Sequence, residues 1–481
     1  MRLSAQDASF LYTETASGPM NASGIVILEG EVPFDAIRNH IASRLHLVPR
    51  YRQRLALVPF NLGHPKWVDD PDFNLDKHVL QHRLPEGSTL EDAIEAAVKL
   101  NEPLLPRDRP LWRTYSLEGV KDRTVLLQSG HHAMIDGASG MDINMVLFDL
   151  QQNAPQPEPE PWHPKPMPTP VELATEAMLE TAHSLTGENP FMLAGLTSER
   201  SEMLRRASES MTRFLAEPVV TAPWNSIPVG PRRKFLWSKY SFADFRRIRS
   251  ALGGTINDVV LAAVSEGVAR YLKAHKEHTD GGHLRIMCPV NVRTEDDKGA
   301  LGNKVSAIFP VFDATPMEMT ARLGKVRWET EQIKNNREAQ AMQIMMEGTP
   351  NFPPVAMAPT LLVGTPLDPT ALAANFPMPV PPTFGPRPPM LGINFVCTNV
   401  PGVQTTQYFA GYPIIDQLGL LMLTGNLGFG VVITSYNQHI YINFICDRRL
   451  VPDLDLMATS VNDAFQELLT ASQQSRQEAS A

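Results

Sequence analysis

Two adjacent histidines followed four residues on by an aspartate and a glycine, HHAMIDG over residues 131–137, form the stretch of this chain best suited to chemistry. An imidazole titrates near neutrality, so it can take a proton from a reacting hydroxyl if one ring nitrogen is left free. The other nitrogen, held by a backbone carbonyl, then fixes the tautomer. Asp136, just before Gly137, could hold the turn by accepting backbone N–H bonds, or could pair with an arginine elsewhere; both roles are structural. The plainer alternative is that His131 and His132 are ordinary satisfied histidines beside a strand.

The elements that must position the motif are legible on either side. Thr124 to Gln128 is a buried strand, Ser129-Gly130 is a break, and Gly137 opens a helix that carries Met145, Leu147 and Phe148. The motif therefore stands at the end of a strand, where side chains face a cleft. There is no GxSxG elbow, so nothing asks for a covalent serine intermediate.

Composition narrows the class. At 481 residues and 43% hydrophobic, the chain can bury large cores and is long for one domain, so two are expected. A net charge of −9 gives no electrostatic reason for nucleic acid as a partner. Cys288, Cys397 and Cys446 are odd in number and lack metal-ligand spacing, which fits small apolar core residues in a reducing cytosol. MRLSAQDASF has no apolar run, so no signal peptide is expected and the location is cytoplasmic. The apolar stretch from Leu418 to Thr434 is interrupted by Gly419, Gly425, Asn426, Gly428 and Gly430, which suits two buried strands and a turn better than a spanning helix. Any membrane contact must then be peripheral.

Along the chain, Ile25 to Leu28 is a strand and a helix follows Pro33. Arg50, Arg52 and Arg54 alternate, as a solvated strand face would, or as contacts to the phosphates of a ligand. Ser88-Thr-Leu-Glu91 is a capping box opening a helix. Residues 1–152 make an α/β domain that carries the motif. The proline-rich stretch from 153 to 170 is an extended tether, and it leads a helical bridge through 229 on which His163 and His183 are surface residues. Residues 230–472 make a second domain, followed by a polar, disordered tail at 473–481. Within it Thr255 or Asn257 caps a helix, and Leu284 to Val290 is a strand. Residues 342–390 combine prolines with Met342, Met345, Met346, Met357, Met378 and Met390, and would either line a greasy tunnel or cover the sheet.

Further stretches share one order along almost the whole chain: LSAQDASFLYTET with Pro19-Met20, DFNLDKHV at 72–79, RPLWR at 109–113, GGTINDVVLAAV at 253–264, PVNVR at 289–293, TNVPG at 398–402, and GNLGFGVVITSYNQHIYINF at 425–444. With HHxxxDG they resemble the bacterial wax ester synthase/acyl-CoA:diacylglycerol acyltransferase family of the CoA-dependent acyltransferase superfamily. Thr398 departs from the usual serine but keeps a hydroxyl, and Val403 stands where a second proline is common.

The resemblance implies an α/β fold of two chloramphenicol-acetyltransferase-like domains, with mixed sheets flanked by helices and a tunnel between them. It implies His132 as general base, His131 and Gly137 shaping the turn, and Asp136 holding His132 in place. Asn257 or Thr398 would supply the oxyanion donor, and Arg293 is a candidate partner for Asp136 across the domains. Acyl-CoA is the co-substrate, with no metal or other cofactor. The acceptor is a fatty alcohol or diacylglycerol, which implies peripheral contact with the inner membrane face or lipid inclusions; phenolic or polyketide hydroxyls, amide formation on a carrier, and an inactive lipid-binding relative are the alternatives.

Overall fold

The computed structural model describes residues 1–134, 146–158, 160–186, 202, 205–206, 219–291, 305–336, 339–340 and 392–480. In chain order the first elements are α1 (Ala5–Thr13), β1 (Asn21–Glu29), α2 (Phe34–Arg44), β2 (Gln53–Ala56), β3 (Lys66–Asp69), β4 (Val79–Ser88), α3 (Leu90–Asn101), β5 (Trp112–Val120), β6 (Arg123–His131) and α4 (Pro170–Thr186). Then come β7 (Arg233–Ser241), α5 (Phe242–Leu252), α6 (Ile256–Ala274), β8 (His283–Asn291), β9 (Val305–Ile308), β10 (Val311–Asp313) and α7 (Met319–Asn335). The last are β11 (Phe395–Val400), β12 (Tyr408–Phe409), β13 (Tyr412–Leu420), β14 (Phe429–Tyr436), β15 (His439–Asp447) and α8 (Leu454–Ser480).

Two mixed sheets organise the α/β fold. The first runs β12-β13-β1-β6-β5-β4, and the second β10-β8-β11-β14-β15-β7 with β9 on β8. Ile25, Ile27, Val125, Leu126 and Leu127 in the middle of the first sheet are essentially sealed from solvent. Each such side chain contributes about 2 kcal/mol on burial, so this sheet is a stiff platform for whatever stands at its end. The strands β12 and β13, at 408–420, come from far along the chain yet pair in this first sheet, with Ser23 opposite Leu420 and Leu28 opposite Ile414. Dividing the chain into contiguous stretches omits that exchange.

The two sheets meet through β13. A Cβ on Gly419 would come within 2.6 Å of Val432 Cγ1 on β14, so only glycine lets the sheets close here. Behind the second sheet, Gly267 of α6 does the same for helix packing, since a Cβ would lie 2.3 Å from Val461 of α8. From Val259 to Ala269, α6 is buried all round, which explains its apolar sequence.

Several local expectations shift by a residue or more. The cap of α3 is Thr89 with Asp92, because Ser88 is still paired in β4 with Val120 and its hydroxyl donates to the Pro85 carbonyl at 2.8 Å. Thr255, not Asn257, caps α6, and Asp258 closes that box. The arginines at 50 and 52 do not alternate on a solvated strand: they lie in a 3₁₀ turn, only 5% and 8% exposed, over the rings of Trp67 at 4.7 Å and Trp162 at 4.0 Å. Trp162 belongs to the proline-rich stretch, so that stretch is docked rather than a free tether. The Lys165 amide donates to Asp69 at 3.0 Å, and Arg44 donates to Gln156 at 2.6 Å. The polar tail is helical through Ser480, in keeping with the helix propensity of its Gln, Arg and Glu residues.

His163 and His183 are exposed, and Cys288, Cys397 and Cys446 are buried thiols. Leu418 to Thr434 holds the end of β13, a turn and the start of β14, in two different sheets.

Candidate active site

β6 delivers the motif. His131 is its last residue, opposite Asn21 of β1, and the pairing puts Asn21, Ser23, Ser129 and His131 on one face. That face carries the end of α3: the hydroxyls of Ser23 and Ser129 both donate to Asn101 Oδ1 at 2.8 Å, and Asn21 Nδ2 donates to the Asn101 carbonyl at 2.9 Å. Gly24 is on the opposite face, where a Cβ would meet only the Leu418 carbonyl oxygen, at 3.7 Å.

His131 is fully buried, with a hydrogen bond at one ring nitrogen and a carboxylate facing the other. Nδ1 accepts the Ala133 amide at 3.0 Å, so in the neutral ring Nε2 carries the hydrogen, and Nε2 lies 3.3 Å from Glu14 Oε1. Its own amide donates to the Leu111 carbonyl at 2.9 Å, and the Met134 amide closes the turn on the His131 carbonyl at 2.8 Å. His132 is only half-buried. Its amide donates to the Met20 carbonyl at 2.8 Å, and its ring stacks on Phe10 with centroids 4.1 Å apart and planes 22° apart.

Both supports come from one face of α1. Phe10 and Glu14 are four residues apart, one helical turn, and Glu14 is the C-cap. Glu14 is 3% exposed and also accepts the Met20 amide at 2.9 Å and Arg107 at 2.9 Å. Burial by itself pushes this carboxyl up, but the bonds from His131, Met20 and Arg107 outweigh it and hold the pKa at about 2. A permanently ionised carboxylate therefore sits beneath the turn.

Three residues of RPLWR have a structural use. Leu111 receives the His131 amide, Trp112 stacks between Tyr51 at 4.3 Å and His78 at 4.6 Å, and Arg113 caps α3 through the Leu100 and Pro103 carbonyls. His78 itself comes from DFNLDKHV and donates Nδ1–H to the Trp112 carbonyl at 2.7 Å; burial first of all pushes its pKa down. Beside it lies a polar cavity of about 190 Å³, whose lining includes Arg54, Asp70, Lys77, Asp108 and Arg109. It is smaller than the roughly 300 to 1,000 Å³ of ligand clefts and too charged for an acyl chain.

Behind the motif, at residues 147–149, a second set of bonds takes over. Buried Arg44 of α2 forks onto Asp149 at 2.9 and 3.0 Å, His40 bonds the Leu147 carbonyl at 2.8 Å, and Asp149 exchanges backbone bonds with Tyr408 of β12 at 2.8 Å.

The second sheet brings up Asn257 and Thr398. Asn257 is in the first turn of α6, where Asn399 Nδ2 donates to its Oδ1 at 3.4 Å, and Thr398 is the neighbouring residue on β11. Phe395 and Cys397 pack into the helix-covered core, so by alternation Thr398 projects from the other face of the sheet, the one on which Val432 meets β13. Asp258, next to Asn257, is occupied by its cap and by Thr330 at 2.8 Å. Asp136, Gly137 and Arg293 lie outside the described residues, as does the methionine- and proline-rich stretch from 342 to 390 up to its end.

Sequence reasoning missed Phe10, Glu14, Met20 and Arg107 as parts of the site. The signal was present for two of them, since Phe10 and Glu14 have the spacing of one helix face.

The sequence pattern of the wax ester synthase/diacylglycerol acyltransferase catalytic domain matches residues 3–260, and that of the C-terminal domain of the same enzymes matches residues 301–469. A protein of Mycobacterium tuberculosis named a probable diacylglycerol O-acyltransferase is 27% identical over 476 residues, covering 98% of this chain and 96% of its own length. The fold is similar to that of a wax ester synthase/diacylglycerol acyltransferase from Marinobacter aquaeolei, with a TM-score of 0.66 at 20% identity over 98% of this chain and 100% of that one. A starter condensation domain of rhizomide synthetase is similar at a TM-score of 0.57 and 13% identity, over 98% of this chain and 94% of that one.

Proposed function

Because this chain belongs to the wax ester synthase/diacylglycerol acyltransferase family and is an acyl-CoA-dependent O-acyltransferase, we propose that His132 is the base with which it moves a long acyl chain from acyl-CoA to a fatty alcohol or diacylglycerol. The observation that carries this is the contrast between the two histidines. His131 is buried, with Nδ1 taken by the Ala133 amide and Nε2 facing the Glu14 carboxylate, whereas His132 is half-open, stacked face-on against Phe10, and held by its backbone. A stacked ring keeps its nitrogens in the ring plane directed at the edges of the stack, which suits proton transfer.

The steps then balance without a covalent enzyme intermediate. His132 removes the hydroxyl proton as the oxygen attacks the thioester carbonyl, and the tetrahedral oxyanion collapses with loss of the CoA thiolate. The imidazolium returns its proton to that sulfur, leaving ester, CoA and neutral histidine. Asn257 and Thr398 are the candidates for the oxyanion donor. Asn257 stands at the positive end of α6, and the bond that Asn399 makes to its carbonyl leaves its own amide hydrogens for donation.

The acyl chain is assigned to the space between the sheets, a reading supported by the bare position at Gly24 beside the sheet contact at Gly419. Asp136 is assigned to holding His132, with Arg293 as its partner. Contact with a membrane or lipid inclusion belongs to the same proposal and would be peripheral, since among the described residues no helix is long and apolar enough to cross a membrane.

The test is thiol release from palmitoyl-CoA, with hexadecanol and diacylglycerol supplied separately and His132→Ala alongside. Release that needs one acceptor and vanishes in the folded variant is the expected result and names the acceptor class. Full activity in His132→Ala overturns the base assignment. Binding of acyl-CoA without turnover would instead make the protein a lipid-binding relative.

A further inference from the structure

Beside the motif lies a buried charge, Glu14, that the reaction above does not use. Glu14 caps α1, 117 residues back along the chain from the histidine it faces, and among the described residues it alone joins α1, the entry to β1, the segment before β5 and the first histidine. We propose that Glu14 is a positioning residue for the acyl transfer: it locks the His131 tautomer and the Met20 backbone, and through both it sets the place from which His132 works.

Two routes lead from Glu14 to the base. In the first, Glu14 Oε1 faces His131 Nε2 at 3.3 Å and so favours the ring form with its hydrogen there, which leaves Nδ1 as the acceptor for the Ala133 amide, the peptide immediately after His132. In the second, Oε1 takes the Met20 amide while the Met20 carbonyl takes the His132 amide. The peptides on both sides of His132 therefore hang from one carboxylate. Phe10, a turn earlier on the same helix, fixes the ring, so a displacement of α1 would move ring and backbone together.

A neutral amide cannot replace this carboxylate. In Glu14→Gln, if the amide oxygen faces Met20 and His131, its NH₂ group points at the Arg107 guanidinium, donor against donor. If the amide is turned the other way, its NH₂ faces the Met20 N–H and His131 Nε2–H. His131 must then change tautomer, and the Ala133 amide loses its acceptor. Among the described residues, the charged groups facing the turn are Glu14 from α1, Arg107 from the segment before β5 and His131 from β6; Phe10, Met20 and Asn21 add no charge. Loss of the carboxylate removes a negative charge beside the turn while the Arg107 cation stays, and the more positive field opposes formation of the His132 imidazolium.

This inference rests on His132 being the base, and the experiment separates the two. Glu14→Gln, Glu14→Asp and His132→Ala are prepared as full chains and checked for folding. Then kcat, KM for palmitoyl-CoA and for the acceptor, and the pH profile of kcat/KM are measured. For Glu14→Gln the expected result is a loss of about 100-fold in kcat, the scale of a small misplacement of a reacting group, with each KM within about threefold of wild type. The acid limb of its profile moves to lower pH. Glu14→Asp keeps the charge and loses the reach, so its kcat falls while its acid limb stays in place.

Wild-type kcat in Glu14→Gln, or a loss of rate with an unmoved acid limb, overturns the proposal. So does failure of both Glu14 variants to fold, because the residue would then serve folding alone. If His132→Ala stays active, the underlying reading fails instead.

Discussion

Replacing Arg44 by methionine should loosen the return of the chain behind the motif while leaving both sheets intact. The guanidinium is 2% exposed and its partner Asp149 15%, so the pair is screened little by water. Arg44→Met removes the fork onto Asp149 and the donors to Gln156 at 2.6 Å and to His40 Nδ1 at 3.0 Å, without changing side-chain length much. Breaking a buried pair in this way costs about 3 to 5 kcal/mol, and the partial exposure of Asp149 favours the lower figure. Methionine fills the space, so most of that is the penalty of an unpaired Asp149.

The consequence is local and can be read locally. Asp149 and Tyr408 exchange backbone hydrogen bonds at 2.8 Å, so their amides report opening of this corner. At 1.4 kcal/mol per factor of ten, about 3 kcal/mol corresponds to hydrogen exchange faster by roughly 150-fold. Amides in the centre of β6, such as those of Leu126 and Leu127, should be unaffected. Asp149→Asn added to Arg44→Met should recover part of the loss, because the double variant buries no unpaired charge. Exchange at Asp149 and Tyr408 within threefold of wild type, or strictly additive effects in the double variant, would refute the reasoning.

Two further outcomes follow from the site. Of Asn257→Ala and Thr398→Val, the one that removes the oxyanion donor should lower kcat by about 100- to 1,000-fold with little change in either KM, and the other should stay within tenfold; equal small effects would leave neither as the donor. Glu14 is ordinarily a carboxyl near 4.5 and is held here at about 2, so its ionisation stabilises the fold at neutral pH by about 3 kcal/mol. Because the folded value is the lower one, that contribution is complete above about pH 5 and is lost as pH falls through the window from 4.5 to 2. The gap in unfolding free energy between wild type and Glu14→Gln should accordingly shrink by about 1.4 kcal/mol from pH 7 to pH 3.5, and a constant gap would contradict the assignment.

The motif, the strand that delivers it, and the helical and strand character of most segments are local properties, and they are legible in the chain alone. The run from Thr124 to Gln128 is apolar because it lies mid-sheet, and the pattern of α6 is apolar because both α8 and the second sheet cover it. A family signature such as HHxxxDG can likewise be read because its residues are consecutive. Capping was legible only to within a residue: Ser88 and Thr89 are both competent caps, and the pairing of Ser88 with Val120, a contact across the sheet, decides between them.

What the sequence could not decide depends on neighbours far away in the chain. Arg50 and Arg52 read as solvent-facing because arginine usually is, and it is the rings of Trp67 and Trp162 that make their burial tolerable. Strand β13 reads as part of a C-terminal unit, and only its register against β1 places it in the first sheet. The same holds at the site. The types of His131 and His132 are identical, so composition cannot assign them different work. The contacts of Glu14 and Ala133 with one, and of Phe10 and Met20 with the other, separate them, and those contacts exist only once α1 is folded against the end of β6.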